Sequence, residues 1–160
     1  MRFEKPLHIL VMDDDVEFAF YLSQELEQFY QVTWCRCASE ALEVLNMHRV
    51  DLVIADIFVY QKGVPVADGG ITLIGAMRVS RFRAGERDCS EIPVIAVTSS
   101  PEKVGVVDVL TTASNLGAQA VMEKPLDVPS LLDTIEGLLG SERAPVASLA
   151  LQTAVDPLSN

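Results

Sequence analysis

The sequence predicts an α/β fold: a doubly wound (βα)5 parallel sheet in a single domain. Two observations carry this. Short, continuous apolar runs alternate along the chain with segments whose apolar residues recur at three- and four-residue spacing. The runs also stop abruptly at functional groups: Asp13-Asp14-Asp15 after His8-Ile9-Leu10-Val11-Met12, Asp56 after Leu52-Val53-Ile54-Ala55, Thr98 after Val94-Ile95-Ala96-Val97, and Lys124 close behind Val121-Met122. A strand that is apolar at every position is buried on both faces, as in parallel sheets covered by helices. The carboxyl ends of such strands share one edge, so these four positions are expected to converge on one site.

Each element has its own signal. After the first strand, Phe18, Leu22, Leu26 and Phe29 mark a helix, with Asp15 as its cap; Val32 to Cys35 reads as a short strand. Ala41, Leu42 and Leu45 mark the second helix, and Leu52 to Ala55 the third strand. Gly69-Gly70 opens a third helix carrying Ile71, Leu73, Ile74 and Met77, and Asp68 with Gly69 reads as the turn before it. Ile92 to Val97 is the fourth strand. Ser100-Pro101-Glu102 reads as a helix start, with a capping hydroxyl, a proline at the first position and then an acid. Ala120 to Met122 is the fifth strand. Asp127 caps a last helix carrying Val128, Leu131, Leu132, Ile135, Leu138 and Leu139, which Gly140 ends. Residues 1–140 form the predicted domain. Residues 141–160, with Pro145, Pro157 and scattered serines, read as a tail, a linker or an added helix around Val146 to Val155.

Composition narrows the function. With 160 residues, 49% of them hydrophobic and 22% charged, the chain is large enough to bury a layered core. A formal charge of −11 opposes direct binding to DNA or RNA, and no basic patch offsets it. Arg78, Arg81, Arg83 and Arg87, interleaved with Glu86 and Asp88, read as the solvated end of a helix. No apolar run approaches the roughly 20 residues that cross a bilayer, and acids follow the N-terminus too soon for a signal peptide; a cytoplasmic protein is expected. Cys35, Cys37 and Cys89 show no zinc-site spacing and read as reduced thiols. His8 and His48 read as ordinary surface or strand-end histidines.

Asp13, Asp14 and Asp56 meeting at one edge demand a counter-charge, because neighbouring carboxylates raise one another's pKa. A divalent cation together with Lys124 balances three negative charges, and a site of oxygen ligands suits Mg2+. With the Thr98 hydroxyl added, the set would neutralise and orient a phosphoryl group. Asp56, alone at its strand end, is the natural nucleophile.

The order DD, D, T and K-P, each after an apolar strand, with Asp68-Gly69 and Lys124-Pro125 also in place, resembles the receiver domain of two-component response regulators over residues 6 to 140. The resemblance implies a flavodoxin-like sheet order 2-1-3-4-5. It implies that Asp56 accepts a phosphoryl group from a histidine kinase or phosphotransfer protein. It further implies that Asp14, Asp56 and the Phe58 carbonyl bind Mg2+ directly and Asp13 through a metal-bound water, that Lys124 pairs with the phosphoryl oxygens, and that Thr98 swings to hydrogen-bond them. A cis bond is implied before Pro125. The signal would leave through a protein–protein contact, a downstream partner or homodimer, or an output domain outside this sequence.

The chain departs from that pattern in several places. Eleven residues, Ile57 to Ala67, separate Asp56 from Asp68, where the family has about six; they read as an enlarged, mobile loop. A second lengthening falls at Phe82 to Glu91. Val121 stands where the family's switch has an aromatic residue three before the lysine, Ser99 follows Thr98, and Glu123 precedes Lys124. Phe58, two past the acceptor, would shield an acyl phosphate from water. Two alternatives compete: a receiver-like scaffold that binds its partner without phosphorylation, and a haloacid-dehalogenase-type phosphatase with Asp13 as nucleophile. The second lacks its acidic pair after the lysine, since only Asp127 lies nearby and Asp133 falls inside the last helix.

Overall fold

The computed structural model describes residues 5–66, 68–79, 83–84, 87–99 and 106–140. In chain order these form β1 (His8–Met12), α1 (Val16–Glu27), β2 (Gln31–Cys35), α2 (Ala38–Met47), β3 (Leu52–Asp56), β4 (Val59–Gln61), β5 (Val64–Val66), α3 (Gly70–Val79), β6 (Arg83–Ala84), β7 (Arg87–Asp88), a 3-10 turn at Cys89–Glu91, β8 (Val94–Thr98), α4 (Val106–Leu116), β9 (Ala120–Glu123) and α5 (Val128–Leu139). The helix start expected at Ser100-Pro101-Glu102 and the segment 141–160 lie outside the described residues.

Five strands make one parallel sheet in the order β2-β1-β3-β8-β9, which is the expected 2-1-3-4-5 arrangement once the two small hairpins are set aside. The alternation of side chains along each strand divides the core in two. Leu10, Met12, Val53, Ala55, Val94 and Ala96 join Leu45 of α2, Leu73, Ile74 and Met77 of α3, and Ala113 of α4. Ile9, Val11, Leu52, Ile54, Ile95 and Val97 join Leu22 and Leu26 of α1 and Leu131 and Ile135 of α5. The central strands are apolar without interruption because each successive residue meets one helical layer or the other.

The helix ends follow local chemistry. Asp15 accepts a hydrogen bond from the Phe18 N–H at 3.1 Å and Asp127 from the Ser130 N–H at 3.1 Å, while Gly140 turns left-handed (φ 66°) to close α5. At α2 the cap comes from elsewhere in the chain. Cys37 makes no side-chain cap bond, and Asp68 instead accepts from the Ser39 N–H (2.9 Å) and hydroxyl (3.0 Å). Asp68 therefore does more than form the turn before α3; it ties that turn to α2.

Two sequence readings are corrected, the loop at Ile57 to Ala67 and the solvated Arg78. The span Ile57 to Ala67, expected to be a mobile loop, folds over 59–66 as an antiparallel hairpin, Val59 paired with Val66 and Gln61 with Val64. Lys62 (φ 51°) and Gly63 (φ 78°) form its two-residue turn, the left-handed pair that matches strand twist. In the second lengthening, β6 pairs with β7. Arg78 is not a solvated helix end: its half-buried guanidinium donates to the carbonyls of Ser90 (2.7 Å), Ile92 (3.0 Å) and Gly117 (2.9 Å), joining α3 to the segments before β8 and β9. His8 is the strand-end histidine of the two alternatives read from the sequence: it opens β1 and is buried, with Nδ1 2.8 Å from the Arg49 carbonyl and Nε2 2.8 Å from Thr33 Oγ1.

Gly69 and Gly70 let α3 begin directly against the end of β3. A Cβ at Gly70 would lie 2.6 Å from the Asp56 carbonyl oxygen, and one at Gly69 2.7 Å from that of Ile57. Those contacts are with backbone, which cannot rotate aside. Gly70→Ala is therefore expected to destabilise the domain by about 1–3 kcal/mol, the usual range for overpacking. The check is its midpoint in urea beside that of Gly75→Ala, whose added methyl meets nothing within 4 Å; equal midpoints would refute the close-packing account.

Candidate functional site

The carboxyl edge of the sheet gathers what the sequence distributes. Asp13 and Asp14 follow β1, Asp56 ends β3, Thr98 ends β8, and Lys124 follows β9. Adjacent registers hold them level: Met12 lies beside Ala55, Asp56 beside Val97, and Thr98 beside Glu123. Carboxylate oxygens of Asp13, Asp14 and Asp56 come within 4.8 Å of one another.

Lys124 binds the acids into one unit. Its ammonium donates to Asp13 Oδ2 at 2.6 Å and to Asp56 Oδ2 at 3.3 Å. The lysine backbone is fixed as well, because its N–H donates to the Thr98 carbonyl at 2.7 Å; the peptide bond between Lys124 and Pro125 is cis. The remaining carboxylate oxygens are oriented by backbone donors. Asp15 N–H donates to Asp13 Oδ1 (2.9 Å), Phe58 N–H to Asp56 Oδ1 (3.2 Å), and Tyr60 N–H, from the hairpin, to Asp14 Oδ2 (2.9 Å).

Burial sets the electrostatics. Asp13 is 2% and Asp56 5% exposed. Loss of solvent pushes the Asp56 carboxyl up to about 7, and the neighbouring Asp13 charge adds to this against the attraction of Lys124. Burial raises Asp13 too, again outweighing its bond to Lys124. For Lys124 burial acts in the opposite sense, lowering the pKa, but the hydrogen bonds and charges of Asp13 and Asp56 overcome it and hold the ammonium above its ordinary value. The lysine stays charged while the two acids compete for its single positive charge.

Thr98 is fully buried, and its Oγ1 has no hydrogen-bond partner among the described residues. A buried hydroxyl without a partner is costly, which marks a place where a polar group from a ligand would be accepted. Asp14 is half-buried, less sheltered than Asp13 and Asp56. The set of hard, anionic oxygen donors, short of positive charge with Lys124 alone, fits a divalent cation such as Mg2+.

Other expected positions fall outside this cluster. Val121 is half-buried and packs with the core layer that contains α3 and α4; the Phe58 side chain packs with that same layer while its backbone N–H stays on Asp56. Ser99 and Glu123 are exposed. Three neighbours of the site were not singled out by the sequence. The Phe18 ring lies 4.1 Å from the Lys124 ammonium, Trp34 Nε1 donates to the Asp13 carbonyl at 2.9 Å, and Tyr60 supplies the backbone donor to Asp14. Only the first two have a side-chain signal, an aromatic residue in the first turn after the acids and one at the end of the neighbouring strand. The third depends on how the hairpin folds back.

Among the described residues no helix is long and apolar enough to cross a membrane. Comparison with known proteins agrees with the architecture. Residues 9–136 match the family model of the response regulator receiver domain. The chain is 28% identical over 138 residues to a protein of Vibrio cholerae named "Probable cyclic di-GMP phosphodiesterase", a match that spans 85% of this chain but 27% of that protein. It is 26% identical over 137 residues to the polar-differentiation response regulator DivK of Brucella anthropi, covering 84% of this chain and 98% of that one. A CheY-like response regulator receiver domain protein from Methanospirillum hungatei superposes with a TM-score of 0.68 at 24% identity, covering 85% of this chain and 95% of that chain. The phosphatase alternative gives way to this match, and the chain belongs to the response regulator receiver domain family of two-component signalling.

Proposed function

We propose that this chain is a phosphoacceptor switch of a two-component phosphorelay, with Asp56 receiving a phosphoryl group in the cytoplasm from a histidine kinase or a histidine phosphotransfer protein. The observation that carries the proposal is the pairing of a buried carboxylate, Asp56, with a lysine already bound to it and a buried Thr98 hydroxyl, without a partner among the described residues, at the end of the adjacent strand.

In the proposed reaction an Asp56 carboxylate oxygen attacks phosphorus. The new P–O bond replaces the P–N bond of a phosphohistidine, or the P–O bond of a small acyl phosphate, and the leaving group departs with the electron pair. Lys124 offsets the charge on the transferred oxygens, releasing part of its hold on Asp13 and Asp56, and Thr98 donates its hydroxyl to one of them. Asp13, Asp14, Asp56 and the Phe58 carbonyl would hold Mg2+, which when bound supplies positive charge for the phosphoryl oxygens. The gain of a roughly dianionic group at a buried edge then biases the elements attached to Thr98 and Lys124, and the signal leaves through a protein–protein contact, a homodimer or an output domain.

A second reading, a scaffold that engages its partner without phosphorylation, draws on Val121. In place of an aromatic switch residue it is a branched aliphatic packed with the core.

Incubation with Mg2+ and acetyl phosphate is expected to add one phosphoryl mass to the wild type and none to Asp56→Asn, read by intact mass; an equal adduct on both would remove Asp56 as acceptor. If the wild type takes the adduct but its partner affinity does not change, the scaffold reading prevails.

Metal should also report through the one tryptophan of the chain. Because Trp34 Nε1 is bonded to the Asp13 carbonyl, Mg2+ is expected to change its fluorescence in a saturable way that Asp14→Asn weakens at least tenfold. Identical titrations for the two proteins would count against Asp14 as a ligand.

The acid cluster predicts a pH effect in metal-free protein. Up to about pH 7 the folded state keeps a proton on Asp56 that the unfolded chain releases near its ordinary value of 3.8. The native state thus binds more protons in that window, and stability falls as pH rises through it. In Mg2+-free buffer the thermal midpoint is expected to decline from pH 5 to pH 8, by several degrees on the scale of roughly 2–8 °C per kcal/mol for such domains. Asp56→Asn should flatten that decline and unfold at the higher temperature at pH 8. The same slope in both proteins would contradict the strained charge at Asp56.

A further inference from the structure

We propose that Phe18 is a positioning residue for Lys124: its ring covers the face of the ammonium that Asp13 and Asp56 leave open and holds that ammonium over the acceptor carboxylate. An ammonium has three N–H donors. Two are directed at Asp13 Oδ2 (2.6 Å) and Asp56 Oδ2 (3.3 Å), and the ring centroid of Phe18 lies 4.1 Å from the nitrogen. That distance is well within the range in which an aromatic face attracts a cation.

The ring is held in place by the acids it serves. Asp13 Oδ1 accepts from the Asp15 N–H at 2.9 Å, Asp15 Oδ1 accepts from the Phe18 N–H at 3.1 Å, Phe18 meets Lys124, and Lys124 returns to Asp13. These contacts close a circuit through the start of α1, so the position of the ring is set by the same residues that set the site. The rest of the side chain is half-buried against the layer containing α1 and α5, which prevents it from swinging away.

The contact has a specific use. Lysine carries its charge on a flexible four-carbon stem, and the charge must leave one set of oxygens for another when a phosphoryl group joins Asp56. Hydrogen bonds to carboxylates are directional and must break in that exchange. Attraction to a ring face varies little as the ammonium pivots above it, so Phe18 keeps Lys124 at the site throughout and excludes water from one side of it.

The proposal rests on the phosphoacceptor reading, and the test separates the two. Phe18→Leu keeps an apolar side chain and removes the π face; Phe18→Tyr keeps the face. The initial rate of phosphoryl adduct formation from acetyl phosphate is expected to fall about three- to thirty-fold in the leucine variant, the range between an exposed and a desolvated cation–π contact, and to stay within about twofold of wild type in the tyrosine variant. Equal rates for leucine and wild type, or equal losses in leucine and tyrosine, would overturn the positioning role. The Lys124 ammonium signal in the 15N NMR spectrum of Mg2+-free protein gives a readout independent of phosphorylation. It should carry a ring-induced upfield shift in wild type and Phe18→Tyr that Phe18→Leu abolishes. If wild type forms no adduct, the phosphoacceptor reading fails, and the ammonium shift alone decides the contact: its loss in leucine upholds it and its persistence overturns it.

Discussion

Two carboxylates almost removed from solvent, Asp13 and Asp56, share one ammonium, and most of the structure around them exists to make that arrangement tolerable. Burying a charge without a partner costs several kcal/mol, and a buried pair is stable only when its geometry is good and its other lone pairs are satisfied. Both conditions are met here through the backbone. Asp15 and Phe58 N–H groups take the second oxygen of each acid, and Lys124 is fixed by its own bond to the Thr98 carbonyl. The balance is nonetheless incomplete, because one positive charge faces two buried acids with Asp14 beside them. The deficit is what makes the cluster chemically suited to a divalent cation.

The sheet supplies the precision. β1, β3, β8 and β9 contribute one or more groups each, and their parallel register places the ends level. Because both faces are sealed by helices, a slip of one residue would send every side chain of a strand into the opposite layer, so the core fixes the register on which the site depends. Gly69 and Gly70 extend the same constraint to α3, whose first turn rests against the backbone that carries Asp56.

The inserted hairpin changes the character of the edge. Its base is anchored by buried Val59, its tip is exposed, and between them the Tyr60 N–H binds Asp14. One acid of the cluster is therefore oriented by an added element instead of by the sheet. Among the described residues, the β4–β5 hairpin, the β6–β7 pair and the Arg78 clamp are places where this chain builds beyond the (βα)5 frame. The hairpins pair backbone with backbone, and the clamp is a side-chain guanidinium donating to backbone carbonyls.

The fold and the identity of the central acids, threonine and lysine were legible in the sequence, because uninterrupted apolar runs require a sheet covered on both faces, and such a sheet brings the strand ends together. Caps at Asp15 and Asp127 and the stop at Gly140 were equally local, each set by a few adjacent residues. The hairpin was not legible: its strands, Val59-Tyr60-Gln61 and Val64-Pro65-Val66, are too short to show a period, and the span read as a loop. What tertiary structure alone decided were relations between distant residues. Asp68 caps α2 from across the chain, Arg78 finds three carbonyls on other segments, and Phe18, which reads as one more apolar residue at helical spacing, meets a lysine 106 positions later. Sequence patterns record which surface a residue buries, whereas the partner it meets there depends on how separately formed elements are brought into register.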